Sequence, residues 1–268
     1  MKMLKDITIG QYYPTGSVIH KIDPRFKIII TFIYIVSLFV VNNFIGYIYV
    51  FLFLFSGIFI SKIPVKYILK GLKPLMILIG ITFLINMFMT TGEVIYSLGF
   101  LNITREGLYQ AFFMALRLIF LVVGTSLLTL TTSPIALTDG IEHILNPFKK
   151  IGVPAHELAM MMTIALRFIP TLLEETDKIM KAQIARGADF ESGNIINRAK
   201  GLVPLLVPLF ISAFRRADDL AMAMEARCYR GGENRTRMKE LKTEKRDYFS
   251  LFIIIVLISV LIMNRIIF

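Results

Sequence analysis

The chain counts 268 residues, 56% of them hydrophobic, with a mean hydropathy of +0.68. Soluble domains run about 45–50% apolar, so this composition excludes an ordinary water-soluble domain. The net charge of +11 reads first as membrane topology and only then as nucleic-acid affinity, because surplus Lys and Arg keep loops on the cytoplasmic side. The single cysteine, Cys228, forms no intramolecular disulfide, and no Cys/His spacing suits a metal.

The stretch up to Lys27 is polar and mixed, lacking the short apolar core and small-residue cleavage site of a secretory signal. Five stretches then compete for the bilayer, which asks for roughly 18 or more apolar residues with few charges. The first is predicted at 26–42. A tight Asn42-Asn43 turn leads into the second at 44–61, making a helical hairpin. The third covers 74–90 and opens at Pro74, where first-turn N–H groups have no intrahelical partner and proline is tolerated. The fourth covers 108–130 and the last 249–267. Residues 131–248 are too polar to span, yet too rich in Leu, Met and Ala for a linker.

Charge sets the orientation. The tail carries Lys2, Lys5, Lys21, Arg25 and Lys27, and the predicted loop 62–73 carries Lys62, Lys66, Lys70 and Lys73. Of the 30 basic residues only Arg105 and Arg265 fall on the opposite side, with Arg117 inside a span. The expectation is a cytoplasmic N-terminus, a cytoplasmic 131–248 segment and a C-terminus outside.

Within that segment Ser133-Pro134 reads as an N-cap with proline at the first helical position, opening a short helix that ends near Asn146-Pro147. A long helix follows from Pro154 to about Gly187, with Glu174–Lys178 and Asp177–Lys181 spaced as i,i+4 pairs. Another runs from near Ile195 to about Cys228, with Arg215–Asp219 and Arg216–Asp219 as similar support. Its apolar start, 202–214, belongs against the membrane or between helices. The run 231–247 reads as a charged, solvated connector to the last span. The predicted class is all-α: a polytopic membrane protein of about five transmembrane helices plus three cytoplasmic helices. Its parts are a membrane domain at 1–130, a cytoplasmic domain at 131–248 and a C-terminal transmembrane helix at 249–268.

Both long cytoplasmic helices close alike, with Ala185-Arg186-Gly187 and Ala226-Arg227-Cys228. Taken singly, each has an ordinary explanation: a basic residue complements the helix dipole, and glycine follows the last turn. Their placement argues for more. Seven and fourteen residues before Arg186 stand Ile179 and Leu172; three, four and seven before Arg227 stand Met224, Ala223 and Leu220. Each arginine therefore prolongs an apolar stripe. Such an arginine suits a partner's groove, its stem buried and its planar fork meeting carboxylates.

These features resemble the transmembrane T component of energy-coupling factor (ECF) transporters, a likeness carried by 12–27, 128–134, 164–194 and 203–232. Paired Ala-Arg-Gly motifs closing two coupling helices are that family's specific marker. The second motif departs from it, with Cys228 in place of glycine; cysteine is small enough to keep the arginine in place, but its Cβ argues against a required left-handed backbone there. The resemblance implies a bacterial cell-membrane complex with two ABC ATPases and a substrate-binding membrane S component, for uptake of vitamins or other micronutrients. Arg186 and Arg227 would each dock on one ATPase. The unequal tips hint at non-identical ATPases. ATP would be used by those partners, with no cofactor bound by this chain.

Catalytic readings fare badly. No GxxxxGK[ST] phosphate cradle occurs, and His156-Glu157 lacks the second histidine of a zinc protease, that position being Met160. Nucleic acid is not expected, since the basic run 227–246 is interrupted by acids and has no interleaved aromatics. A self-contained permease or channel with a regulatory cytoplasmic domain is the alternative, but the spans lack the charge rings and broken helices that line pores. Gly57, Gly80 and Gly124 read as close-packing positions. Arg117, the charge inside a span, points equally to helix–helix pairing and to contact with the substrate subunit.

Overall fold

Two side-chain caps set the first hairpin. Asp23 accepts the Arg25 N–H at 2.9 Å and, with Pro24 at the first position, opens α1 (Pro24–Val40). Asn43 accepts the Gly46 N–H at 3.0 Å and opens α2 (Phe44–Ser61). These caps satisfy amides that no helix carbonyl can reach. The computed structural model describes residues 12–98, 101–188, 190, 195–231 and 241–267. The predicted connector at 231–247 therefore falls largely outside the described residues.

The next basic segment is not a loop. Residues Val65–Leu72 form α3, which turns through a 3-10 step at Lys73–Leu75 into α4 (Met76–Met89). The reason is an amphipathic period: Ile68 is buried against α5, while Lys66, Lys70 and Lys73 stay exposed. After α4 comes an antiparallel hairpin of β1 (Val94–Leu98) and β2 (Leu101–Thr104), in a stretch for which no element was predicted. Thr104 caps α5 (Arg105–Thr131) through the Gly107 N–H at 3.0 Å and donates to the Thr90 carbonyl at 2.8 Å. The remaining helices are α6 (Pro134–Leu145), α7 (Ala155–Ala185), α8 (Ile195–Ala226) and α9 (Lys245–Ile267), with a 3-10 turn at Asn146–Ile151. Among the described residues the protein is all-α apart from this one hairpin.

Among the described residues, five helical stretches are long and apolar enough to cross a bilayer: Phe44–Ser61, Val65–Met89, Arg105–Thr131, Ala155–Ala185 and Lys245–Ile267. Four coincide with predicted spans. The predicted span at 26–42 is α1, which has 17 residues and reaches about 26 Å at 1.5 Å per residue, close to a hydrocarbon core of about 30 Å. The fifth stretch is α7, which the sequence reading assigned to the cytoplasmic segment.

The chain divides into two compact units, one of residues 10–144 and 240–268 and one of 145–239 with the first nine residues. In the larger, α5 packs against α1, α2, α3 and α4, and α9 lies on α1 and α2. Its core is Tyr34, Leu38, Val50, Leu54, Phe113, Leu130, Ile254 and Leu261. Tyr34 donates to the Phe120 carbonyl at 2.8 Å, and its ring lies where a Cβ at Gly124 would sit, so that glycine permits the α1–α5 approach. Gly57 makes an ordinary approach to Leu127, and Gly80 has no neighbour within 4 Å, so Gly80 serves no close packing among the described residues.

One end of this unit is tied by buried polar groups. Asp247, 1% exposed, accepts the backbone N–H groups of Asp23 at 2.9 Å and Glu244 at 2.7 Å. Lys27 donates to the carbonyls of His20 and Thr131 and to the Thr132 hydroxyl. Thr15 donates to the Ser61 carbonyl at 2.7 Å, and the Tyr13 N–H to the Leu130 carbonyl at 2.9 Å. Burial of these groups is tolerable because each is hydrogen-bonded. Asp23 pairs with Arg25 at 2.7 Å: burial pushes its carboxyl up, but the Arg25 hydrogen bonds and charge outweigh that and hold it below its usual value.

Candidate docking tips and the helix pair that carries them

The smaller unit is built on α7 and α8. The Gln183 amide donates to the Pro204 carbonyl at 3.4 Å, Glu175 accepts from Ser212 at 2.5 Å and from Arg216 at 3.0 Å, and the Tyr229 hydroxyl meets His156 Nε2 at 3.5 Å. Partners advance along α8 as they retreat along α7, so the helices run antiparallel. Arg216 thus spends its charge on Glu175 across the pair, where the sequence reading gave it to Asp219; Asp177–Lys181 forms as expected. The Gln183 contact has a backbone cause. Pro208 carries no N–H, so the Pro204 carbonyl loses its i+4 helical donor and the Gln183 amide supplies one.

Both helices end in the same capping motif. At the end of α7, the Gly187 N–H donates to the Ile184 carbonyl and the Ala188 N–H to the Gln183 carbonyl, each at 2.9 Å. At the end of α8, the Cys228 N–H donates to the Glu225 carbonyl at 2.8 Å and the Tyr229 N–H to the Met224 carbonyl at 3.0 Å. This is the Schellman pattern, in which a left-handed residue lets two amides satisfy the orphan carbonyls. Gly187 has φ +86° and Cys228 φ +55°. The left-handed backbone is thus retained at the second tip, contrary to what the cysteine suggested.

The motif places Arg186 and Arg227 identically, at the capping position just after the last helical residue, with the chain turning away behind. Ala185, Arg186, Gly187, Ala226, Arg227 and Cys228 are all exposed, and neither guanidinium has a partner among the described residues. Behind them Leu172, Ile179, Leu220 and Met224 are half-buried, so the apolar stripes expected from the sequence exist and the arginines extend them. Because the pair is antiparallel, the tips point to opposite ends. From Pro204, the residue met by Gln183 one turn before Arg186, to Arg227 is about 35 Å of helix at 1.5 Å per residue.

Comparison with known proteins decides the family. The model of the cobalt transport protein family CbiQ matches residues 15–238. A protein of Clostridium kluyveri called energy-coupling factor transporter transmembrane protein EcfT is 65% identical over 266 residues, covering 98% of each chain. Proteins of the same name from Thermosediminibacter oceani and Bacillus subtilis are 67% identical over 244 residues and 48% over 264; the alignments cover 91% and 98% of this chain, and 92% and 100% of those proteins. The chain belongs to the EcfT family. It is therefore a membrane component of ECF-type transport, as the sequence resemblance implied. Within that family's chain, Arg117 has intramolecular partners: it donates to the Val41 carbonyl at 3.1 Å and the Tyr47 hydroxyl at 3.3 Å, between the rings of Phe39 and Phe113. Val41 ends α1, so its carbonyl has no helical donor and the guanidinium takes that place.

Proposed function

We propose that this chain is the non-catalytic coupling subunit of an ECF-type ABC importer, passing the motions of two non-identical ATPases to a substrate-binding membrane S component that takes up vitamins or other micronutrients. The observation that carries the reading is the pair of exposed arginines, unpartnered among the described residues, on identically capped helix ends at opposite ends of one antiparallel pair. Two ATPases present two grooves, and two tips some tens of ångströms apart reach both. A stiff helix ending in a fixed cap transmits a push, and the α7–α8 crossing at Glu175, Ser212 and Arg216 is the place where a change of angle is felt.

The reading assigns ATP to the partners and gives this chain no cofactor. It places the N-terminus and the 131–248 segment in the cytoplasm and the C-terminus outside, on the charge asymmetry of the tail and the α3 lysines. It gives the S component, or lipid where it is absent, the apolar face of α8, where Val203, Val207, Phe210 and Phe214 are exposed. The test is Arg186→Glu with Arg227→Glu in one chain. Expression and membrane insertion stay normal, and the ATPases no longer co-purify. Undiminished ATPase recovery would remove the docking role.

A further inference from the structure

The two tips share a cap but not a charge. From Arg186 onward the sequence sets one cation against Asp189 and Glu191; from Arg227 onward it sets Arg227, Arg230 and Arg235 against Glu233. Three residues after the tip arginine, the same step of the chain carries Asp189 behind α7 and Arg230 behind α8. Asp189 lies outside the described residues. Arg230 is exposed and, like Arg227, has no partner among them. The nearest described acid along the chain is Glu225, two residues before Arg227, and residues two apart on a helix face different ways.

The backbone that carries Arg230 is held in place. Cys228 turns at φ +55° and Gly231 at φ +85°, so the arginine stands between two left-handed residues. The Tyr229 N–H donates to the Met224 carbonyl at 3.0 Å, and the Tyr229 hydroxyl meets His156 Nε2, near the start of α7, at 3.5 Å. At the α7 tip the matching residue is Ala188, which has no side chain to reach back with. A cation on a fixed backbone gives up less freedom when it docks than one on a loose tail. Three residues of chain span at most about 10 Å, so Arg227 and Arg230 present two guanidinium groups to one groove.

Resting on the reading that each tip docks on one ATPase, we infer that Arg230 is a second docking cation and selects the ATPase that the α8 tip accepts. The groove it fits carries acidic groups for both Arg227 and Arg230. The α7 tip fits a groove with acid for Arg186 alone, since a doubly acidic groove repels the carboxylates that follow Arg186 in the sequence. Specificity of this kind is a difference between an attraction and a repulsion at one position. Charges at the rim of a contact govern partner choice and salt dependence more than raw affinity.

The test is made on the full chain, co-expressed with both ATPases and purified in detergent, with the retained amount of each ATPase measured. Arg227→Glu identifies the ATPase served by the α8 tip as the one it releases. Arg230→Asp, which gives this tip the charge order of the other, lowers retention of that same ATPase at least about threefold and leaves the second unchanged, in line with exposed ion pairs worth up to about fivefold in affinity. Arg230→Lys retains both. Raising salt from about 50 to about 500 mM strips that ATPase from the parent chain more than the other, and Arg230→Gln removes the excess. A merely structural residue would not change that salt response, and Arg230→Gln also serves where the reversed charge disturbs the cap. Equal loss of both ATPases, an unchanged ratio in Arg230→Asp, or an unaltered salt response in Arg230→Gln overturns the inference, while tip docking stands as long as Arg227→Glu releases one ATPase. If Arg227→Glu releases neither, the docking reading itself falls and this inference falls with it.

Discussion

Gly187 and Cys228 hold the same position in the same capping motif, at φ +86° and +55°, although only one of them is glycine. For a residue with a Cβ that backbone costs roughly 1 kcal/mol or more. Cys228→Gly is therefore expected to stabilise the end of α8 by about 1 kcal/mol, and Gly187→Ala to destabilise the end of α7 by a similar amount. Hydrogen exchange at the Tyr229 and Ala188 amides reads each cap directly. Protection that falls in Cys228→Gly would show that the cysteine contributes something a glycine cannot.

The separation of the tips gives a second expectation. Sites more than about 7–10 Å apart act additively, and these lie about 35 Å apart along the pair. Arg186→Glu alone and Arg227→Glu alone should each weaken one ATPase contact, with the losses adding in the double variant. The ratio of the two ATPases retained on the purified chain is the readout. If either single substitution released both, docking would be cooperative rather than two independent events.

Several helix ends were legible because caps are local: Asn43, Pro134 and Gly187 fix their boundaries through neighbours a few residues away, whereas the Thr104 cap that starts α5 at Arg105 was not anticipated. So was the apolar stripe behind each arginine, a matter of helical period. What escaped was set by distant partners. The helix at Val65–Leu72 was hidden by Lys66 and Lys70 within it and Lys62 and Lys73 beside it, since counting charge for topology obscured the Ile68 face that packs on α5. The α7–α8 register was not readable, because it depends on a carbonyl freed by Pro208 and on Arg216 choosing Glu175 over the local Asp219. The antiparallel placement of the tips, the fact with most bearing on function, follows only from that register.

His20 makes the polar tie pH-sensitive. Its Nε2 lies 2.8 Å from the Tyr13 carbonyl and so carries the proton, while Nδ1 accepts from Ser17 at 2.7 Å, which describes a neutral ring. Burial first, and the charge of Lys27 after it, push the imidazole below its ordinary value of 6.5. The unfolded chain then binds the proton more readily than the folded one, so this contribution is complete above about pH 6.5 and declines as pH falls below it. Thermal unfolding from pH 7.5 to 5 should show the midpoint dropping in the parent chain and dropping less in His20→Gln. Parallel profiles would mean that other groups control the acid limb.

Arg117 supplies the last test, because its two sequence readings separate cleanly. Its guanidinium joins the end of α1 through Val41, α2 through Tyr47 and its own helix through the Phe113 ring. Arg117→Leu removes the donor from a carbonyl already beyond the reach of helical N–H groups, at a cost of about 2 kcal/mol. The expected result is a lower unfolding temperature in detergent with an undiminished yield of bound substrate subunit per folded chain. Arg117→Lys recovers less than half of the loss, since an ammonium cannot serve two acceptors in the planar geometry of the fork. An Arg117→Leu chain with unchanged unfolding temperature and no substrate subunit would transfer the residue from the fold to the partner contact.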